Sequence, residues 1–140
     1  MESNKNTNEG FKLLSNIEKT IEYINKQLIN YPKKEVVLKQ NIEKTMYLLI
    51  EYVFSYRIEE LYRVRLKYLK SVVIQISMLD YYMRVSYNKK IINAKRYNSI
   101  SGFLIEMRKI AYGVIRSEKL SLLLSHKLLN LIIQTYYFVL

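Results

Sequence analysis

The 140-residue chain contains no cysteine, which excludes disulfide frameworks, thiolate metal sites and cysteine nucleophiles and fits a reducing, cytoplasmic setting. Its only proline is Pro32, and its three glycines stand at positions 10, 102 and 113. A many-stranded sandwich or barrel needs more turn punctuation than this, so long helices are the expected elements. Histidine occurs once, as His126, with no carboxylate one helical turn away to complete a metal or acid–base pair. The closely spaced arginine and histidine of small helical RNases are missing too, since the nearest arginine before His126 is Arg116. No glycine-rich loop exists to cradle a phosphate. These absences argue against an enzyme and give no reason to expect a cofactor or metal. The opening residues, MESNKNTNEG, are too polar for the apolar core of a signal peptide, so export by that route is not expected.

What the chain does have is apolar residues and positive charge. Half of its residues are hydrophobic, enough at this length for one domain with a single core. Lys and Arg number 23 against 12 Asp and Glu, a net +11. Such a field attracts polyanions, whether RNA, DNA or an acidic membrane surface, although a lysine-rich solubilising surface gives the same count.

The apolar residues Leu14, Ile17, Ile21, Ile24, Leu28 and Tyr31 alternate steps of three and four, which predicts a first helix from about Gly10 to Asn30 after a disordered segment over residues 1–9. Pro32 then imposes a tight turn over Asn30–Lys34. Leu38, Ile42, Thr45, Leu49, Tyr52 and Tyr56, widened by Met46 and Val53, predict a second helix over Glu35–Arg57. Leu69, Val72, Ile76, Leu79 and Met83 predict a third over Glu60–Tyr87, although no strong breaker separates Arg57 from Leu61. The polar stretch SYNKKIINAKRYNS interrupts the pattern, and Asn93 is placed to cap a fourth helix running through Ile100, Phe103, Met107, Ile110 and Val114. All four stripes repeat at about 3.5 residues, the spacing of near-parallel helix packing. The expected fold is all-α, an antiparallel up-and-down four-helix bundle over residues 10–119.

After Lys119 comes an apolar segment, LSLLLSHKLLNLIIQTYYFVL (residues 120–140), expected to form an additional C-terminal helix or tail. It is about long enough to span a bilayer, yet His126, Lys127, Asn130 and Gln134 would each be penalised there. A helix packed on the bundle or buried in an oligomer is therefore expected ahead of a membrane helix.

Cations cluster between Arg57 and Arg96, where ten Lys and Arg stand against Glu59, Glu60 and Asp80. Arg63, Lys67, Lys70, Ser77, Tyr81 and Arg84 recur at helical spacing and share a face, which the Lys89–Arg96 turn extends. The candidate nucleic-acid-binding residues are Arg63, Arg65, Lys67, Lys70, Arg84, Lys89, Lys90, Lys95 and Arg96, because each phosphate contact made there would release counterions. Tyr68, Tyr81, Tyr82, Tyr87 and Tyr97 are candidates to stack on unpaired bases, against the plainer role of lining the core. Arg84 likewise has a plainer role, an i,i+4 pair with Asp80.

The run IEKTIEYINKQLINYPKKEVVLKQNIEKTMYLLIEYV (Ile17–Val53) resembles the first hairpin of a bacterial four-helix-bundle family. That family includes the accessory variability determinant of diversity-generating retroelements and proteins encoded in intervening sequences of ribosomal RNA genes. Its marks here are Tyr31, Pro32, Lys33 and Lys34 closing the first helix, followed by Leu38, Gln40 and Ile42. Ile92–Tyr97 is similar to the family's entry into helix four, and MRKIAYGVIRS (Met107–Ser117) to its closing segment, with Gly113 as the small residue. The resemblance implies a homo-oligomer, pentameric in the retroelement branch, whose basic surface binds RNA or DNA and docks a reverse transcriptase for mutagenic complementary-DNA synthesis. The ribosomal branch implies instead a structural oligomerisation module, and membrane association through the tail is a further alternative. The chain departs from the pattern in placing Asp80 one turn before Arg84, in carrying Tyr112 where the family has a second glycine, and in the tail itself.

Overall fold

The computed structural model describes the backbone of residues 2–139 and the side chains of residues 8–139. Among them are four α-helices, one short 3₁₀ turn and no strand.

Helix α1 (Glu2–Leu28) buries Leu13, Ile17, Thr20, Ile24 and Leu28. The stripe is centred on Leu13 and Thr20 rather than on Leu14 and Ile21, which sit half-buried at its edge. Thr20 occupies a core position because its hydroxyl donates to the Asn16 carbonyl one turn back (2.8 Å), satisfying itself within the helix. Gly10 is not the helix start. It is a buried interior position, and α1 takes in residues expected to precede it, because apolar spacing carries no signal across polar opening turns.

Beyond α1, Tyr31 turns inward and its phenol donates to Ser86 Oγ (2.7 Å), which in turn donates to the Tyr82 carbonyl (2.8 Å). Pro32, at φ −59° and ψ 145°, leads into the 3₁₀ turn Lys33–Glu35 and then α2 (Val36–Ile58). Helix α2 buries Ile42, Thr45, Met46, Leu49, Val53 and Tyr56. Its end carries no glycine or proline. Glu59 breaks the helix by adopting an extended backbone (φ −69°, ψ 134°), and its carboxylate accepts the Glu60 and Leu61 backbone N–H groups, both at 3.1 Å.

Helix α3 (Tyr62–Asn88) buries the five expected residues, Leu69, Val72, Ile76, Leu79 and Met83, together with Ser86. It closes in a Schellman turn in which the Lys90 N–H donates to the Tyr87 carbonyl and the Ile91 N–H to that of Ser86, each at 2.9 Å. Lys90 takes the left-handed conformation this turn requires, with φ 61°. Asn93 caps the last helix as its position predicts, Oδ1 accepting the Arg96 N–H at 2.9 Å.

Helix α4 (Ala94–Val139) is 46 residues long, so the apolar segment is not an additional helix but an unbroken continuation of the fourth. No glycine or proline follows Gly113, and the leucine-rich sequence holds helical geometry by its own backbone bonds.

Helix α1 packs on α2 and α4, and α3 on α2 and α4. The main core runs through all four, and a smaller cluster of Tyr56, Leu69, Val114 and Ile115 lies toward the end from which α4 emerges. From Leu123 to Val139 every residue is exposed. Among the described residues no helix is long and apolar enough to cross a membrane.

Candidate nucleic-acid interface

The positive charge is divided unevenly along the chain. Residues 1–60 carry nine Lys and Arg against nine Asp and Glu, whereas residues 61–140 carry fourteen against three. The entire excess of +11 therefore belongs to α3, α4 and the turn joining them, and these two helices pack on each other.

Arg63, Lys67, Lys70, Ser77, Tyr81 and Arg84 are all exposed, as expected of one outward face. They do not form one compact patch, since Arg63 and Arg84 lie about 32 Å apart along the helix axis. Arg63, Lys67 and Lys70 stand near the start of α3, while Arg84, Lys89, Lys90, Lys95 and Arg96 gather around the α3–α4 turn. Helix α4 fills the space between. Arg108 Nη2 donates to Ser77 Oγ (3.4 Å). Beside Lys70, Arg116 and Lys119 border a groove of about 480 Å³ floored by Val73, Ile74, Tyr112 and Ile115. An adjoining hollow of about 340 Å³ is lined by Ile105, Arg108, Lys109, Tyr112 and Arg116. No acidic side chain lines either one.

The sequence-based set ends at Arg96 and misses Arg108, Lys109, Arg116 and Lys119. Their signal is the spacing of Arg108, Tyr112, Arg116 and Lys119, which keeps to the face of α4 turned away from the buried Met107, Ala111 and Val114.

Not every predicted cation is available. Arg65 lies in register with Leu69, Val72 and Ile76 and points inward, where it pairs with the buried Glu118 of α4. Its Nη1 donates to the Glu59 carbonyl (2.9 Å), and its guanidinium lies over the Tyr56 ring at 4.6 Å. The Tyr56 hydroxyl donates to Glu118 Oε1 (2.6 Å). Burial, reinforced by the Glu118 carboxylate, pushes the Tyr56 phenol well above its ordinary pKa and keeps it protonated. Arg65 therefore belongs to the interior and not to the basic face. Arg84 pairs with Asp80 (3.0 Å), and Lys89 donates to both oxygens of Glu35 (3.1 Å each). Arg63, Lys67, Lys70, Lys90, Lys95 and Arg96 make no ion pair among the described residues, nor do the four cations contributed by α4.

Of the tyrosines singled out for stacking, Tyr81 and Tyr87 are exposed, whereas Tyr68, Tyr82 and Tyr97 are half-buried. Tyr87 and Tyr97 lie face to face, with centroids 5.0 Å apart and planes 17° apart. Tyr87 also borders a hollow of about 540 Å³ at the turn, with Lys90 and Arg96 on its rim. Tyr112, outside the predicted set, is exposed between the two α4 hollows.

No family model matches this chain, and no curated protein or solved structure matches it.

Proposed function

We propose that this chain is a non-enzymatic nucleic-acid-binding protein, an antiparallel up-and-down four-helix bundle whose α3–α4 face holds the phosphate backbone of RNA or DNA. The observation that carries this reading is the placement of the whole charge excess on two adjoining helices, around grooves with no acidic lining. Apolar and aromatic side chains within those grooves, Ile74 and Tyr112 foremost, would meet sugars and bases while Lys70, Arg108, Arg116 and Lys119 meet phosphates.

The resemblance of Ile17–Val53 and Met107–Ser117 to the retroelement accessory proteins extends the proposal. On that reading the chain is a cytoplasmic homo-oligomer, pentameric as in that family, which brings RNA or DNA to a reverse transcriptase during mutagenic complementary-DNA synthesis. Filter binding to single-stranded RNA and duplex DNA across a salt series tests the binding step. Affinity is expected to fall linearly on a log–log plot, and absent or salt-indifferent binding would overturn the proposal. Co-purification with a reverse transcriptase encoded beside this chain tests the finer assignment.

The exposed apolar end of α4 favours a second reading, a structural oligomerisation module like the ribosomal intervening-sequence branch, in which the charge is incidental. Salt-steep binding separates the two.

A further inference from the structure

Past Lys119, α4 runs on for about 30 Å, and from Leu123 to Val139 every residue on it is exposed. Leu120, Leu123, Leu124, Leu128, Leu129, Leu131, Ile132, Ile133, Tyr136, Tyr137, Phe138 and Val139 are all exposed there, Phe138 at 93%. At 100° per residue, His126, Lys127, Asn130 and Gln134 fall in one stripe that covers roughly a quarter to a third of the circumference. Leu123 and Tyr137 share that stripe. The rest of the surface is apolar apart from Ser121, Ser125 and Thr135. Two of these hydroxyls are already satisfied inside the helix, Ser125 donating to the Ser121 carbonyl (3.0 Å) and Thr135 to that of Leu131 (2.8 Å).

We infer that residues 120–139 form an assembly stalk, in which the tails of more than two copies of this chain pack side by side. Even with each of the twelve exposed apolar side chains counted at about half its full area, the surface is on the order of 1,000 Å². That exceeds the roughly 800 Å² one partner contributes to a stable interface and the few hundred Å² that monomers leave exposed. The spacing fits helices as the occupant. Residues 121, 124, 128, 131, 135 and 138 alternate steps of three and four, and so do residues 122, 125, 129, 132, 136 and 139. A two-stranded coiled coil uses one such seam, and a helix with two adjacent seams has a neighbour on each side. Leu131, Ile132, Thr135, Tyr136 and Val139 border a shallow apolar hollow of about 430 Å³ between the seams, of the kind that receives a neighbour's side chains.

A lipid surface is the poorer occupant. Helices that lie on membranes carry a polar face rich in Lys and Arg, and this stripe holds Lys127 alone. The stalk does not depend on nucleic-acid binding and stands or falls separately from it.

The full-length chain, examined by size-exclusion chromatography with light scattering, is expected at three or more times its 16.9 kDa mass. Leu128→Asp with Leu131→Asp should give a folded monomer, because both side chains are exposed, and its thermal transition should lose the concentration dependence that assembly gives the parent. Asn130→Asp with Gln134→Asp, on the polar stripe, should leave the mass unaltered. A monomeric or dimeric parent would overturn the inference. So would an oligomer that survives the leucine substitutions, which would place assembly in the rest of the protein, or a monomer that floats with phosphatidylserine vesicles through the same leucines. RNA affinity measured on the Leu128→Asp, Leu131→Asp chain reports on the basic face independently.

Discussion

At the residue scale, the group formed by Glu118, Arg65 and Tyr56 shows how a charge can sit at a core position. Glu118 continues the buried series Met107, Ala111 and Val114 on α4, and Arg65 opens the series Leu69, Val72 and Ile76 on α3. Each charge is placed inward by helical register and is tolerable there only because the other faces it. Glu118 accepts from both Arg65 and Tyr56, so its carboxylate is neutralised and hydrogen-bonded. Removing one member exposes the cost. Glu118→Ala leaves a guanidinium with no countercharge, and since that side chain is 23% exposed the loss should be smaller than for a sealed pair, about 2–3 kcal/mol in urea unfolding. Arg65→Met together with Glu118→Leu replaces both charges by apolar volume and should return to within about 1 kcal/mol of the parent. A double variant no better than Glu118→Ala would mean that packing of this end, not charge pairing, sets the cost.

At the element scale, the helices were legible wherever apolar spacing decided them and less so where local backbone chemistry did. The buried sets of α2 and α3 follow the spacing almost residue for residue, and Asn93 caps α4 from the position its chemistry suggests. The break at Glu59 was not legible, because an extended glutamate that satisfies its own following amides leaves no glycine or proline in the sequence. The start of α1 escaped for the opposite reason, a polar opening with no periodicity to read. In the candidate site, composition drew attention to the cations of α3 and the following turn, but it passed over those of α4 and could not separate Arg65 from its neighbours, since its partner Glu118 lies 53 residues away. The α3 terminus carries a testable cost of its own. Lys90 holds φ 61°, where a side chain is disfavoured by roughly 1 kcal/mol relative to glycine. Lys90→Gly should therefore raise unfolding stability by about 1 kcal/mol while removing one cation from the proposed interface. Higher stability with weaker RNA binding in the same variant would separate the residue's structural cost from its contribution to the surface.

At the scale of the whole molecule, the neutral first half and the cationic second half make position, rather than total charge, the quantity to test. A solubilising coat of lysine would behave alike wherever it was thinned. A phosphate-binding face would not, because only cations that displace condensed counterions contribute to the salt dependence. Lys70→Gln, Arg108→Gln and Arg116→Gln should each flatten the log affinity against log salt line for single-stranded RNA by about 0.7, and the three combined by about 2. Lys12→Gln, Lys19→Gln and Lys44→Gln remove the same formal charge from exposed positions on α1 and α2 and should leave the slope nearly unchanged. The comparison holds net charge constant between the two triple variants, so a general fall in long-range attraction affects both equally and only direct contact distinguishes them. Equal flattening by the two triples would assign the charge to solubility, and a slope lost only with the α3–α4 residues would assign it to the face these helices build.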